Sequence, residues 1–299
     1  AATQSGYIVA PVAGSRILDA TLLSARISGV TADDQVTFVL SGKDREITLQ
    51  AQIADGYATA QLEQDSLTAL GEAVGTISLY INNTVADTIR ATFNIPQPEQ
   101  DPYEIDGFEN YYGVDTMLTK NWATNKATGS SITISLSRDY SYEGEYVMKF
   151  EYAETSDGWA GATISKEVSW EDCDALQFWT VPDGKQQKTV IQITAGGNVY
   201  EYYMNLNEDY CNAGTEPVLV TIPFALFVAR DIAGNPAGGL ENDKSNITSI
   251  GLWVNAIAGS AAIDADNMVK GTVYYDGITA VKSGKTAAEV KKAEQTPTE

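Results

Sequence analysis

Trp159, Trp179 and Trp253, with Gln177 and Gln192, are the residues of this sequence whose types and spacing suit one chemistry, the holding of a sugar. An indole offers a flat apolar face to the C–H side of a pyranose, and a carboxamide both donates to and accepts from its hydroxyls. Trp159 follows the turn Asp157-Gly158 and precedes Ala160, Gly161 and Ala162, small neighbours that leave a large ring uncovered. Strand parity places the others. In Leu176-Gln177-Phe178-Trp179, Leu176 and Phe178 share one face, assigned to the core, so Gln177 and Trp179 face outward. By the same alternation Ile191, Ile193, Leu252 and Val254 point in, while Gln192 and Trp253 point out. A single sheet face carrying Trp179, Trp253, Gln177 and Gln192 is therefore expected. The competing expectation is that the Gly- and Asn-rich segment 224–246 covers these indoles and makes a second small core. Trp170, beside Glu171 and Asp172 at a strand end, reads as structural.

Composition narrows the chemistry further. The chain of 299 residues has no histidine, which removes Ser-His-Asp and Cys-His catalysis and the commonest zinc ligand. A carboxylate pair for glycoside hydrolysis survives on paper, but with 40 acidic residues some pair always exists. The net charge of −21 argues against nucleic acid, and no apolar run is long enough for membrane insertion. Nothing in that charge opposes a neutral polysaccharide. Cys173 and Cys211 allow either a disulfide or two buried thiols.

The elements that must position these residues read as all-β. Residues 1–96 show short strands at 18–30, 35–41, 46–53, 57–62, 76–81 and 88–95, separated by turn signals such as Asp55-Gly56 and Asn82-Asn83. This predicts a small antiparallel sandwich, and it resembles bacterial immunoglobulin-like modules; with no tryptophan, it reads as a support or spacer. Pro96, Pro98 and Pro102 mark the boundary, with a linker at 97–104. Residues 105–282 hold all five tryptophans and strands expected at 131–137, 146–152, 162–168, 175–181, 189–195, 199–206, 218–223, 247–255 and 271–281. That density fits a jelly-roll sandwich, with hairpin turns at Asp183-Gly184 and Gly196-Gly197-Asn198. The segment 283–299 reads as a linker to further modules or as a short peripheral helix.

Five short motifs in order carry a resemblance. Asp106-Gly107-Phe108-Glu109, Thr155-Ser156-Asp157-Gly158-Trp159, Val220-Thr221-Ile222-Pro223-Phe224, Ile247-Thr248-Ser249-Ile250 and Tyr274-Tyr275-Asp276-Gly277-Ile278 resemble the jelly-roll carbohydrate-binding modules of the galactose-binding-like fold, most closely family 11. The resemblance implies that Trp159 lines a concave face, with Tyr202, then Tyr200, on a neighbouring strand and Trp122 near the cleft edge. It implies one structural Ca²⁺ held by Glu109 and Asp276 with backbone oxygens of the 141–145 loop. Where the family has a tyrosine on the strand 250–255, this chain has Val254 with Trp253 beside it, a departure from the family's long β-glucan cleft. The turn at Asp264, Asp266 and Asn267 lacks EF-hand spacing and reads as solvated.

The expected function is non-catalytic polysaccharide binding within a multimodular, secreted or cell-surface bacterial assembly. Its layout is similar to that of the starch-adherence proteins of gut bacterial amylosomes. A compact cradle of tryptophans suits an α-1,4-glucan; mixed-linkage β-glucan and a purely structural adhesin or scaffold are the alternatives.

Overall fold

The structure, a computed structural model, describes residues 2–204, 214–230 and 238–284. It divides into two compact units, one built on residues 1–99 with 114–117 and the other on 100–113 and 118–299. Among the described residues no helix is long and apolar enough to cross a membrane.

The first unit comprises β1 (Ser5–Ala10), β2 (Ser15–Ile17), β3 (Thr21–Ser28), β4 (Val36–Ser41), β5 (Glu46–Gln50), β6 (Gln52–Ala54), β7 (Tyr57–Leu62), α1 (Gln64–Leu70), β8 (Ala73–Ile81) and β9 (Thr84–Phe93). Two sheets form, in the orders β1-β3-β7-β6 and β2-β9-β8-β4-β5. Strict alternation along β8 buries Ile77, Leu79 and Ile81 against Leu23, Phe38, Leu40 and Phe93. Asp55-Gly56 and Asn82-Asn83 all take positive φ, as tight two-residue hairpins require. The expected strand 46–53 is two strands, because the chain leaves one sheet at Ala51 and enters the other. β1, β2 and α1 were not anticipated; the Leu67 and Leu70 side chains of α1 close the core.

The second unit begins earlier than the proline-rich stretch suggests. Glu104, expected in the linker, already belongs to β10 (Glu104–Asp106), which pairs with the long closing strand. After α2 (Asp115–Asn121) follow β11 (Trp122–Lys126), β12 (Ser131–Ser137), β13 (Val147–Thr155), β14 (Trp159–Val168), β15 (Ala175–Val181), β16 (Lys188–Ala195), β17 (Asn198–Tyr203), β18 (Val218–Pro223), β19 (Val228–Ala229), α3 (Gly239–Asp243), β20 (Ile247–Asn255) and β21 (Met268–Val281). One sheet runs β12-β13-β21-β15-β18, with β10 also on β21; the other runs β11-β14-β20-β16-β17-β19. Phe150, Phe178 and Tyr275 from the first and Ile191, Ile193, Leu252 and Val254 from the second are all buried.

Two connections differ from expectation. Asp183-Gly184 is no hairpin: it carries the chain from β15 in one sheet to β16 in the other. The segment 224–246 is not a featureless loop, since it holds β19 and α3, while residues 231–237 lie outside the described residues. Cys173 is buried; Cys211 and most of the 283–299 tail lie outside the described residues.

Candidate functional site

The two sheets present two different outer faces, and this decides which predicted residues meet. On the β11-β14-β20-β16-β17-β19 sheet, three cross-strand rows point outward. The first is Trp159–Asn255–Lys188, the second Gly161–Trp253–Val190–Tyr203, the third Thr163–Gly251–Gln192–Glu201. Trp159, Trp253, Asn255, Lys188, Val190, Tyr203, Gln192, Glu201 and Arg230 line an open groove of about 430 Å³ across this face.

The groove is built around two glycines. The Trp253 indole lies on the backbone of the sheet: a Cβ on Gly161 would stand 2.0 Å from its Cε3, and a Cβ on Gly251 would stand 2.5 Å from its Nε1. Any side chain at either glycine would lift the ring, so the pair forms a flat bed that keeps one indole face down and leaves the other toward the groove. The Trp253 Nε1 is buried with no hydrogen-bond partner among the described residues, consistent with a ring placed by packing. Trp159 opens β14 after the Thr155–Gly158 turn, closed by the Gly158 amide donating to Thr155 O at 2.8 Å. It is 36% exposed and meets Trp253 at a ring separation of 5.8 Å and an angle of 63°. The two indoles thus make a corner, not a level shelf.

The opposite side of the groove is polar. Gln192 Nε2 donates to Glu201 Oε2 at 3.2 Å, and the Tyr203 hydroxyl donates to Glu201 Oε1 at 3.1 Å. Lys188 Nζ sits 4.1 Å above the Tyr203 ring. Burial holds the Tyr203 hydroxyl above its ordinary pKa, with Glu201 adding to the shift and Arg230 opposing it. Indoles on one side and amide, carboxylate, phenol and cations on the other are what a sugar ring requires.

Trp159, Trp253 and Gln192 therefore come together as expected, and the other predicted ligand residues do not. Trp179 and Gln177 do face outward, but from β15, on the other sheet. There Trp179 stacks on Tyr142 at 4.8 Å and 12°, and Gln177 Nε2 donates to Thr221 Oγ1 at 3.0 Å. Parity was right, and the single face was wrong, because alternation says nothing about which sheet a strand joins. Tyr200 and Tyr202 are buried and point into the core, opposite Ile193 and Ile191. Trp122 is 1% exposed and heads β11; its Nε1 donates to the buried Asp106 Oδ2 at 2.8 Å. It is a core residue satisfying a core carboxylate. Trp170 is buried as expected, stacked on Phe224 with its Nε1 bonded to Pro102 O. Asp264 caps its own turn by accepting the Asp266 and Met268 amides.

Glu201, Tyr203, Lys188, Asn255 and Val190 were missed. A signal existed for the first two: the Gly196-Gly197 hairpin fixes register, and once Gln192 is outward its partner Glu201 is outward too. Arg230 had no such signal.

The residues implied to hold calcium lie around the 141–145 loop. Glu109 Oε1 accepts the Glu145 and Tyr146 amides at 2.9 and 2.7 Å, and Asp276 Oδ2 accepts the Glu143 amide at 3.1 Å. Asp276 is 1% exposed, and burial pushes its carboxyl up to about 7, with Glu143 and Glu109 adding to the rise and the Glu143 and Gly277 amides opposing it. Hard oxygen donors with excess negative charge fit Ca²⁺ chemically. Among the described residues, however, no three acidic side chains are gathered closely enough to hold a metal ion by themselves, so backbone oxygens would have to complete the shell.

Comparison with known proteins bears on the second unit. Comparison with curated proteins gives no significant match. Among solved structures, the family 11 carbohydrate-binding module of cellulosomal cellulase Lic26A-Cel5E of Clostridium thermocellum is 18% identical, covering 63% of this chain and 97% of that one at a TM-score of 0.43. The Clostridium thermocellum family 11 module in complex with a β-1,3-1,4-mixed-linked tetrasaccharide is 18% identical, covering 60% of this chain and 95% of that one at a TM-score of 0.41. The family profile described as carbohydrate binding domain (family 11) matches residues 92–278, more than half of the sequence. With that match across the unit that bears the indole corner, the chain belongs to the family 11 carbohydrate-binding domains.

Proposed function

We propose that the groove of the second unit binds an α-1,4-glucan, as a non-catalytic contact in a secreted or cell-surface assembly. The observation that carries this reading is the 63° corner between Trp159 and Trp253. Successive residues of an α-1,4-glucan turn relative to one another, so two neighbouring rings meet two aromatic faces set at an angle. A flat β-1,4 ribbon would need those faces nearly level. Mixed-linkage β-glucan is the second reading, supported by family membership and by the bend that each β-1,3 linkage inserts in a β-1,4 chain. Affinity electrophoresis through gels holding amylopectin, lichenan or mannan tests this. Retardation greatest in amylopectin is expected; greatest retardation in lichenan would replace the ligand, and unretarded migration in all three would leave a structural scaffold.

The first unit is proposed as a support that spaces this groove from further modules. One Ca²⁺ is proposed at Glu109 and Asp276, where it would tie the 141–145 loop to β21.

A further inference from the structure

We infer that Glu201 determines the specificity of the groove: its carboxylate receives two adjacent equatorial hydroxyls of one sugar ring, the 2,3-diol of a 4-linked glucosyl residue. The inference rests on the glucan reading of the same groove and adds the configuration that it selects.

The geometry begins at the indole bed. The Nε1 edge of Trp253 lies over Gly251, and Gly251, Gln192 and Glu201 stand side by side in one outward row. Neighbouring strands are about 4.8 Å apart, so the Glu201 column stands about 10 Å from that of Gly251. A pyranose lying on the indole fills about half of that span and directs its equatorial hydroxyls in its own plane toward Gln192 and Glu201. Axial hydroxyls leave the plane and miss them.

The carboxylate is prepared for two donors. The Glu201 residue as a whole is 8% exposed, and hydrogen bonds from Gln192 and Tyr203 hold its carboxylate at the groove wall. A carboxylate has about four lone-pair sites. Among the described residues, Oε2 receives one donor from Gln192 and Oε1 one from Tyr203, and all three residues line the groove. One lone pair on each oxygen remains, matched to a vicinal diol whose two O–H groups donate in parallel. A ligand without an equatorial diol would shut these two acceptor sites of a nearly buried carboxylate away from any donor, which is costly.

Calorimetric titration of the whole chain tests this, using maltohexaose and maltohexaose methylated at O2 and O3. The wild type is expected to bind maltohexaose and to lose at least about tenfold in affinity for the methylated chain. Glu201→Gln, which keeps the shape but puts a donor where an acceptor is needed, should lose about tenfold for maltohexaose and most of its discrimination between the two. Glu201→Asp, which keeps the charge but withdraws it, should fall between them and covers the case in which the first variant does not fold, judged by its melting temperature. Unchanged affinity and discrimination in folded Glu201→Gln would overturn the inference, as would equal wild-type affinity for both chains. If Trp253→Ala abolishes binding in those cases, the groove reading stands and only the role of Glu201 falls. Absence of wild-type binding to maltohexaose would overturn both.

Discussion

The Trp253 indole occupies the space that a side chain at Gly161 would need, with 2.0 Å between its Cε3 and the position of an added Cβ. The glycine therefore sets the seat of the indole that faces the groove. Gly161→Ala should lift or turn the ring, weakening glucan binding by roughly tenfold or more, about 1.4 kcal/mol. The melting temperature should move little, since Trp253 faces the groove. Calorimetric titration alongside thermal denaturation checks this; wild-type affinity in the variant would show that the ring's flat seat is irrelevant.

Trp122 makes the opposite case. Its indole is core, and its Nε1 is one of three donors to Asp106, with the Tyr111 hydroxyl and the Phe108 amide. Burial raises the Asp106 carboxyl, and these donors oppose the rise, Tyr111 most. Trp122→Phe should cost about 1–3 kcal/mol of stability by leaving a buried acceptor under-satisfied. Glucan affinity per folded molecule should be unchanged. Urea denaturation combined with a binding titration separates the two outcomes.

Calcium should raise the melting temperature, and EDTA should lower it, if Glu109 and Asp276 hold an ion. Asp276→Asn should abolish the difference between the two conditions. A melting temperature indifferent to both additions in the wild type would remove the metal from the account.

Glu154 on β13 is fully buried, and among the described residues neither of its oxygens has a hydrogen-bond partner of good geometry. Burial pushes its carboxyl up to about 9; the nearby Ala256 and Ala160 amides lower it in part, and Asp183 adds to the rise. The folded chain therefore keeps a proton that the unfolded chain loses near the ordinary value of 4.5. Between those values the native state binds more protons, so the group's contribution to stability falls as pH rises from about 4.5 to about 9. Melting temperatures across that interval should decline more steeply in the wild type than in Glu154→Gln. Parallel curves would show that Glu154 does not titrate as its surroundings dictate.

Much of this was legible in the residues, and the gaps have physical causes. Strands such as β7, β12, β15, β18 and β20 match their expected limits because alternation and turn residues agree there. Trp159, Trp253 and Gln192 were found because exposure follows from parity and from small neighbours. Parity cannot tell which of two sheets a strand enters, so Trp179 and Gln177 were placed with the wrong partners. Tyr200 and Tyr202 failed for another reason: they were assigned by resemblance, whereas the hairpin register turns Glu201 and Tyr203 outward instead. Trp122 too was assigned by resemblance; its true partner, Asp106, lies 16 residues away and nothing local announces the contact.

On the proposed reading, sugar binding belongs to the Trp159–Trp253 corner and not to the other outer face. That reading is tested most directly by titrating the wild type, Trp253→Ala and Trp179→Ala with maltohexaose in one calorimetric series. Wild-type affinity is expected for Trp179→Ala, and no measurable binding for a folded Trp253→Ala. Retained binding in Trp253→Ala, with loss in Trp179→Ala, would contradict it.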